Sequence, residues 1–305
     1  MRPPVLCYHR VGGPRELGVT RVTRSTFERQ MTSLARAGWK TLTLGEFSRA
    51  LEPDGQVAHG RSFLLSFDDG YASLAECVYP VLAEVGFTAV TFLITDYVGR
   101  DNSWDVRYTW RRLPHLDWTA IAHWHGQGFE FASHSASHAR LTWLSDRDVV
   151  DELARSRETL IGRLGHGAGR AVAYPFGARD ARVERSARAA GYELGFGGVR
   201  GNGNRLNLSR IPVYAWDVGS VPLGLRNDAL GAVGRLVAHG ANRCAVGTSL
   251  MLKMKRQKGR GERDLTLRRR VSLPSPLSLF FREGSPSPPP PPSRDIPCPR
   301  KSSSR

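Results

Sequence analysis

The feature that most constrains this chain is a strand-like run that ends in charge. Phe63-Leu64-Leu65-Ser66-Phe67 is apolar on both faces and stops at Asp68-Asp69-Gly70. A run apolar on both faces suits a strand covered on both sides, as in a parallel sheet. Comparable runs at 5–8, 39–44, 88–94, 129–133, 171–174, 193–196 and 208–214 predict further strands. Segments of helical character lie between them. Ser25-Thr26-Phe27-Glu28 reads as a capping box opening a helix with Phe27, Met31, Leu34 and Ala35 on one face, which stops near Gly38. Other helices are expected at 71–85, 117–127, 145–164, 179–190 and 228–238, and residues 96–116, which have no clear period, read as a long loop. Strands alternating with helices predict a parallel α/β fold. His9, Asp68, Asp69 and His134 each follow a predicted strand, where such folds place their active sites.

The pattern collapses after Gly240. Residues 253–270 are dense in charge and 285–293 are almost entirely proline and serine, a composition that cannot bury a core. We therefore expect a folded domain over residues 1–245 and a basic, disordered tail over 246–305. The tail carries +10 of the net charge of +16, so the folded domain is only moderately basic and is not expected to bind nucleic acid. The four cysteines form no C-x-x-C pair, which argues against a thiolate zinc site. No leader precedes the first strand and no apolar run is long enough to span a bilayer, so the chain as given reads as cytoplasmic; an incomplete N-terminus would make extracellular action plausible. The sequence does not indicate an oligomeric state.

Two motifs carry chemistry. Adjacent carboxylates at the end of an apolar strand are unfavourable to bury without a partner, which a metal ion supplies, and Gly70 permits a sharp turn. Alone, Asp-Asp-Gly also fits an ordinary strand-ending turn. In His134-Ser135-Ala136-Ser137-His138, two imidazoles four positions apart can meet one metal, from a helical face or a curled loop; alone, they also fit two unrelated surface histidines. Together the motifs offer carboxylates and imidazoles suited to zinc or a similar divalent ion.

Ser66-Phe67-Asp68-Asp69-Gly70-Tyr71, then His134-Ser135-x-x-His138, then Ala173-Tyr174-Pro175-Phe176-Gly177, resemble in order and spacing the polysaccharide deacetylase (NodB-homology) family. The opening Tyr8-His9 resembles the branch acting on N-acetylglucosamine polymers. The resemblance implies a distorted (β/α) barrel with fewer than eight repeats, and an N-acetylated glycan substrate that loses its acetyl groups. It implies Asp69, His134 and His138 as ligands of a divalent metal, zinc by ligand type. It further implies Asp68 as the general base and a backbone N–H near Phe176 as an oxyanion donor. His9 is the expected general acid, with His239 as the other candidate. The family's third motif often carries an Arg that orients the base, and Ala173 stands there instead. Arg210 could supply that charge, although a surface or strand-edge role is the reading we favour for it. The alternative function is a catalytically impaired glycan-binding protein that keeps the fold. Trp118, Trp124, Trp143 and Trp216 read as core or rim residues, and His115, His123 and His125 as surface residues.

Overall fold

The structure, a computed structural model, describes residues 2–14, 19–55, 60–104, 113–226, 231 and 234. Along the chain run β1 (Val5–Tyr8), β2 (Arg10–Val11), β3 (Arg21–Val22), α1 (Arg24–Arg36), β4 (Lys40–Thr41), α2 (Leu44–Ala50), β5 (Ser62–Phe67), α3 (Ser73–Cys77), α4 (Tyr79–Glu84) and β6 (Val90–Leu93). There follow α5 (Trp118–Gly126), β7 (Glu130–Ser133), α6 (Asp146–Leu164), β8 (Ala171–Ala173), α7 (Ala181–Ala189), β9 (Leu194–Phe196) and β10 (Ile211–Pro212). The domain boundary near 245, the tail, His239 and most of the expected helix 228–238 lie outside the described residues.

The main sheet is parallel, in the order β10-β1-β5-β6-β7-β8-β9, with β4 on the start of β5. One segment joins its two edges. Leu208 and Arg210 bond β9 and the residues just after it, through Leu208 N–H to Gly195 O (2.8 Å), Gly197 N–H to Leu208 O (2.9 Å) and Arg210 N–H to Gly198 O (2.9 Å). At the next residue the same segment pairs with β1, Leu6 opposite Ile211. The sheet is thus a distorted (β/α) barrel with fewer than eight repeats, closed by residues 208–213.

Side chains alternate along a strand, and here the alternation separates two environments. Val5, Leu64, Val90, Phe92, Ala132, Ala171, Ala173, Leu194, Phe196 and Leu208 pack together inside the barrel. The intervening Leu6, Tyr8, Phe63, Leu65, Phe67 and Phe131 face the helices and meet Phe27, Met31 and Leu34 of α1 and Leu82 of α4. Val172 of β8 and Tyr174 just after it face outward, against Val149 and Leu153 of α6 and Val183 of α7. Both faces of every long strand are buried, as the apolar runs predict.

Several element boundaries differ from expectation. The cap of α1 is Thr23, whose side chain accepts from the Thr26 N–H, rather than Ser25. The true capping box is Thr43 with Glu46, opening α2 inside what reads as a strand. The expected helix 71–85 is two short helices, broken at Val78 (φ −117°) ahead of Pro80, whose ring cannot sit inside a helix. Only Ile211–Pro212 of the last expected strand is regular, because the segment changes partner from β9 to β1 midway.

Phe67 is fully buried, with its ring centroid 5.6 Å from that of Tyr8 and 5.8 Å from that of Phe27. Phe67→Ala should lower stability by about 3–5 kcal/mol. Urea unfolding measures this, and a loss well under 1 kcal/mol would show that this layer is not the core.

Candidate active site

The site continues the inward-facing rows beyond the strand ends. Val5 and Cys7 lead to His9, Leu64 and Ser66 to Asp68, Ala132 to His134, and Leu208 to Arg210, each by a step of two. Asp68 still belongs to the sheet, its N–H bonded to Tyr8 O at 2.9 Å. Asp69 would then face outward, but the chain turns there. Its φ is +70° and the Gly70 N–H bonds back to Asp68 O at 2.9 Å, a three-residue turn that brings the second carboxylate to the same side as the first. Gly70 is itself at φ +72°, and a Cβ there would lie 2.5 Å from Leu93 Cδ2. Four non-glycine residues among those described have positive φ, namely Asp69, Ser135, His138 and Phe176. All four come from the three motifs, and strain of this kind concentrates where a site is built.

Asp69, His134 and His138 converge. Nε2 of each histidine lies 3.5 Å from Asp69 Oδ1, and all three side chains are buried. His134 Nδ1 is 2.8 Å from Ala173 O, a bond that places the proton on Nδ1 and turns the Nε2 lone pair toward Asp69. Burial pushes the His134 pKa down to about 4 and holds that of His138 well below its ordinary value, so both rings are neutral near pH 7. Nδ1 of His138 is buried and has no hydrogen-bond partner among the described residues. Two neutral imidazoles and a carboxylate with donor atoms within 4.8 Å of one another form a donor set that fits a divalent cation.

Asp68 has a different environment. Arg210 Nη1 donates to Oδ1 at 2.7 Å and Nη2 to Oδ2 at 2.8 Å, and both side chains are buried. Burial alone would raise the Asp68 carboxyl; the Arg210 guanidinium, with His134 and His9, outweighs it and holds the group well below the usual carboxylate range. Burial pushes the Cys7 thiol up, so it stays protonated and donates to Asp68 Oδ2 at 3.6 Å. His9 Nε2 and His134 Nε2 each stand 3.9 Å from that same oxygen, and the His9 side chain is 26% exposed. Cys7, His9 and Asp68 also have donor atoms within 4.8 Å of one another, but the Arg210 charge on Asp68 disfavours a cation there. The two adjacent carboxylates are therefore distinct: one faces two neutral imidazoles, the other is neutralised by an arginine.

Arg210 is 6% exposed, so the surface reading of it is corrected. The signal that identifies it is the alternation from Leu208, which points it into the barrel. His115 is also not a surface residue. At 4% exposure it stacks on Tyr71 at 5.1 Å, accepts from Trp104 Nε1 at 3.2 Å and meets Arg100 O through Nδ1 at 3.0 Å. Trp104 in turn packs on His138, centroid to centroid 3.8 Å, and Phe176 approaches the same imidazole at 4.6 Å.

Arg210→Ala would strand a buried carboxylate and should cost about 3–5 kcal/mol at pH 7. Because the folded Asp68 pKa is depressed, the pair's contribution is fully present above the unfolded carboxyl value, about 4. It is lost as pH falls through the lower folded value, where the stranded carboxyl of the variant can also protonate. The gap between wild type and variant should therefore narrow from pH 7 toward pH 3 in urea titrations. A gap constant with pH would mean that Asp68 is not the group Arg210 serves.

The chain is similar in sequence and fold to known proteins. Residues 55–195 match the family model described as polysaccharide deacetylase. YxkH of Bacillus subtilis, provisionally named a polysaccharide deacetylase, is 28% identical over 192 residues, 63% of each chain, so the match spans under two thirds of that protein. A poly-β-1,6-N-acetyl-D-glucosamine N-deacetylase of Staphylococcus aureus is 26% identical over 198 residues, covering 62% of this chain and 67% of that one. Among solved structures, the Streptococcus pyogenes deacetylase PplD, in complex with acetate, superposes with a TM-score of 0.63 at 21% identity, covering 71% of this chain and 94% of that one. IcaB from Ammonifex degensii superposes with a TM-score of 0.59 at 24% identity, covering 76% and 94%. These structures share the fold. With the three motifs in order on that fold, residues 55–195 form a segment that matches the polysaccharide deacetylase family model.

Proposed function

We propose that this protein is a metal-dependent N-deacetylase of an N-acetylglucosamine-type glycan. The observation that carries the reading is the pairing of two unlike sites at the barrel mouth: a base held ionised by Arg210, beside an Asp69/His134/His138 donor set. The kinship with a poly-N-acetylglucosamine deacetylase supports the choice of substrate. Among the described residues no helix is long and apolar enough to cross a membrane.

Asp69, His134 and His138 would hold the cation, zinc by the chemistry of its donors. Bound there, it would polarise the acetamide carbonyl and stabilise negative charge on its oxygen. Asp68 takes a proton from the attacking water, a task for which it must be ionised, and Arg210 and Cys7 fix the direction of its oxygens. Water adds to the carbonyl carbon, and the C–N bond then breaks as the nitrogen gains a proton, giving acetate and the free amine. His9, half-buried at the end of β1 and 3.9 Å from Asp68 Oδ2, supplies that proton. The left-handed turn at Phe176 (φ +61°) offers its backbone N–H to the oxyanion. The impaired-enzyme alternative draws on the missing third-motif arginine. Arg210, arriving from the closing segment, occupies the place that argument needs empty.

Acetate release from N-acetylglucosamine oligomers, measured beside metal content, tests the assignment. Asp68→Asn should abolish release while largely keeping the metal, whereas His134→Ala should lose the metal itself. Full activity in Asp68→Asn would remove it as the base. His9→Ala should slow release by about 10²–10⁴-fold, and a variant of unchanged rate would move the acid elsewhere.

A further inference from the structure

The 134–138 loop holds its two imidazoles on an unfavourable backbone. Ser135 and His138 both have positive φ, a conformation costly for residues with a Cβ, so the surroundings must impose it. Glu152, in the middle of the 19-residue α6, is positioned to do so. It is 7% exposed. Its Oε2 accepts from the Ala136 N–H (3.1 Å) and the Ser137 N–H (2.9 Å), and its Oε1 accepts from Ser137 Oγ (2.6 Å). Two successive backbone N–H groups following a left-handed residue form a cradle for an anion, and this carboxylate fills it. The loop's other side is held as well: Ser135 O and Ala136 O accept from the Thr95 and Asp96 N–H groups at 3.3 and 3.0 Å. Arg155 ties the two supports together, reaching both oxygens of Asp96 at 3.1 Å and approaching Glu152 Oε1 at 3.6 Å.

We propose that Glu152 is a positioning residue for the metal centre: seated on the Ala136 and Ser137 N–H groups, it sets the spacing of His134 and His138 and with it the affinity for a divalent cation. The inference rests on the reading of Asp69, His134 and His138 as ligands. Glu152 bonds the loop and acts through it.

The test is zinc affinity of the full chain, by competition with a chromogenic chelator, alongside unfolding of the metal-free protein. Glu152→Ala should lose about 10–100-fold in affinity, the range seen when outer-shell partners of ligands are removed. Glu152→Gln should recover most of it, since its carbonyl can still accept both N–H groups and its amide can donate to Ser137 Oγ. Glu158→Ala, exposed on the same helix, should bind as wild type. If Glu152→Ala is less stable but binds zinc normally, the residue is only structural and the proposal is wrong. Should Glu152→Ala not fold, Glu152→Asp keeps the charge but withdraws it by one methylene, and undiminished affinity there is equally fatal. Failure of the wild-type protein to bind zinc would instead overturn the metal-site reading, and this proposal with it.

Discussion

The buried pair of Asp68 and Arg210 joins the fold to the chemistry. Arg210 lies on the segment that closes the barrel between β9 and β1, and its guanidinium reaches a carboxylate at the end of β5. A buried ion pair is poor evidence of net stabilisation, since apolar residues of like volume often do as well. Its effect is on protonation. Burial would make Asp68 a neutral acid, and the guanidinium keeps it an anion. The closing segment therefore does two things: it completes the sheet and it holds the Asp68 carboxylate ionised.

The neighbouring carboxylate owes its different character to backbone geometry alone. In a continued strand, Asp69 would point toward the helices. The turn at φ +70° redirects it toward His134 and His138. The histidines come from another such departure, in the 134–138 loop, where Ser135 Oγ accepts the His138 N–H at 3.1 Å. Rigid strands set the positions of Asp68, His134 and Arg210, and left-handed turns supply the residues that a period of two cannot deliver.

This explains which parts were legible in the sequence. Apolar runs such as 63–67 mark strands because both faces are buried, and β5 fills its predicted span almost residue for residue. Short elements were harder. Of the expected strand 39–44 only Lys40–Thr41 is extended, because Thr43-Leu44-Gly45-Glu46 hides a helix start within it. The convergence of Asp69, His134 and His138 is legible because the three lie in two short, compact motifs. Arg210 was underrated because its partner is 142 positions away, and nothing local distinguishes an inward arginine from one at a strand edge. The burial of His115 is hidden for a related reason: its partners are three aromatic rings and a carbonyl, and no carboxylate stands at a telling distance along the chain.

Within the stretch from 96 to 116, featureless by period, residues 113–116 are built onto the Asp-Asp-Gly turn. The Leu116 N–H bonds Gly70 O and the Ala72 N–H bonds Pro114 O, both at 2.8 Å, while Tyr71 bridges to His115. Trp104, in the same stretch, is thereby set against His138, with its indole N–H fixed on His115. Between Trp104 and Phe176 the His138 ring loses most of its contact with water, which keeps the imidazole neutral and its lone pair available. The turn that separates the two carboxylates is thus also the anchor of the segment that walls in their partner. A residue with a Cβ at Gly70 would disturb both, through its φ of +72° and the 2.5 Å approach to Leu93. Asp-Asp-Gly forms one structural unit: a carboxylate that ends the strand beside Arg210, a second that leaves it toward His134 and His138, and a glycine that lets the covering loop dock where the two diverge.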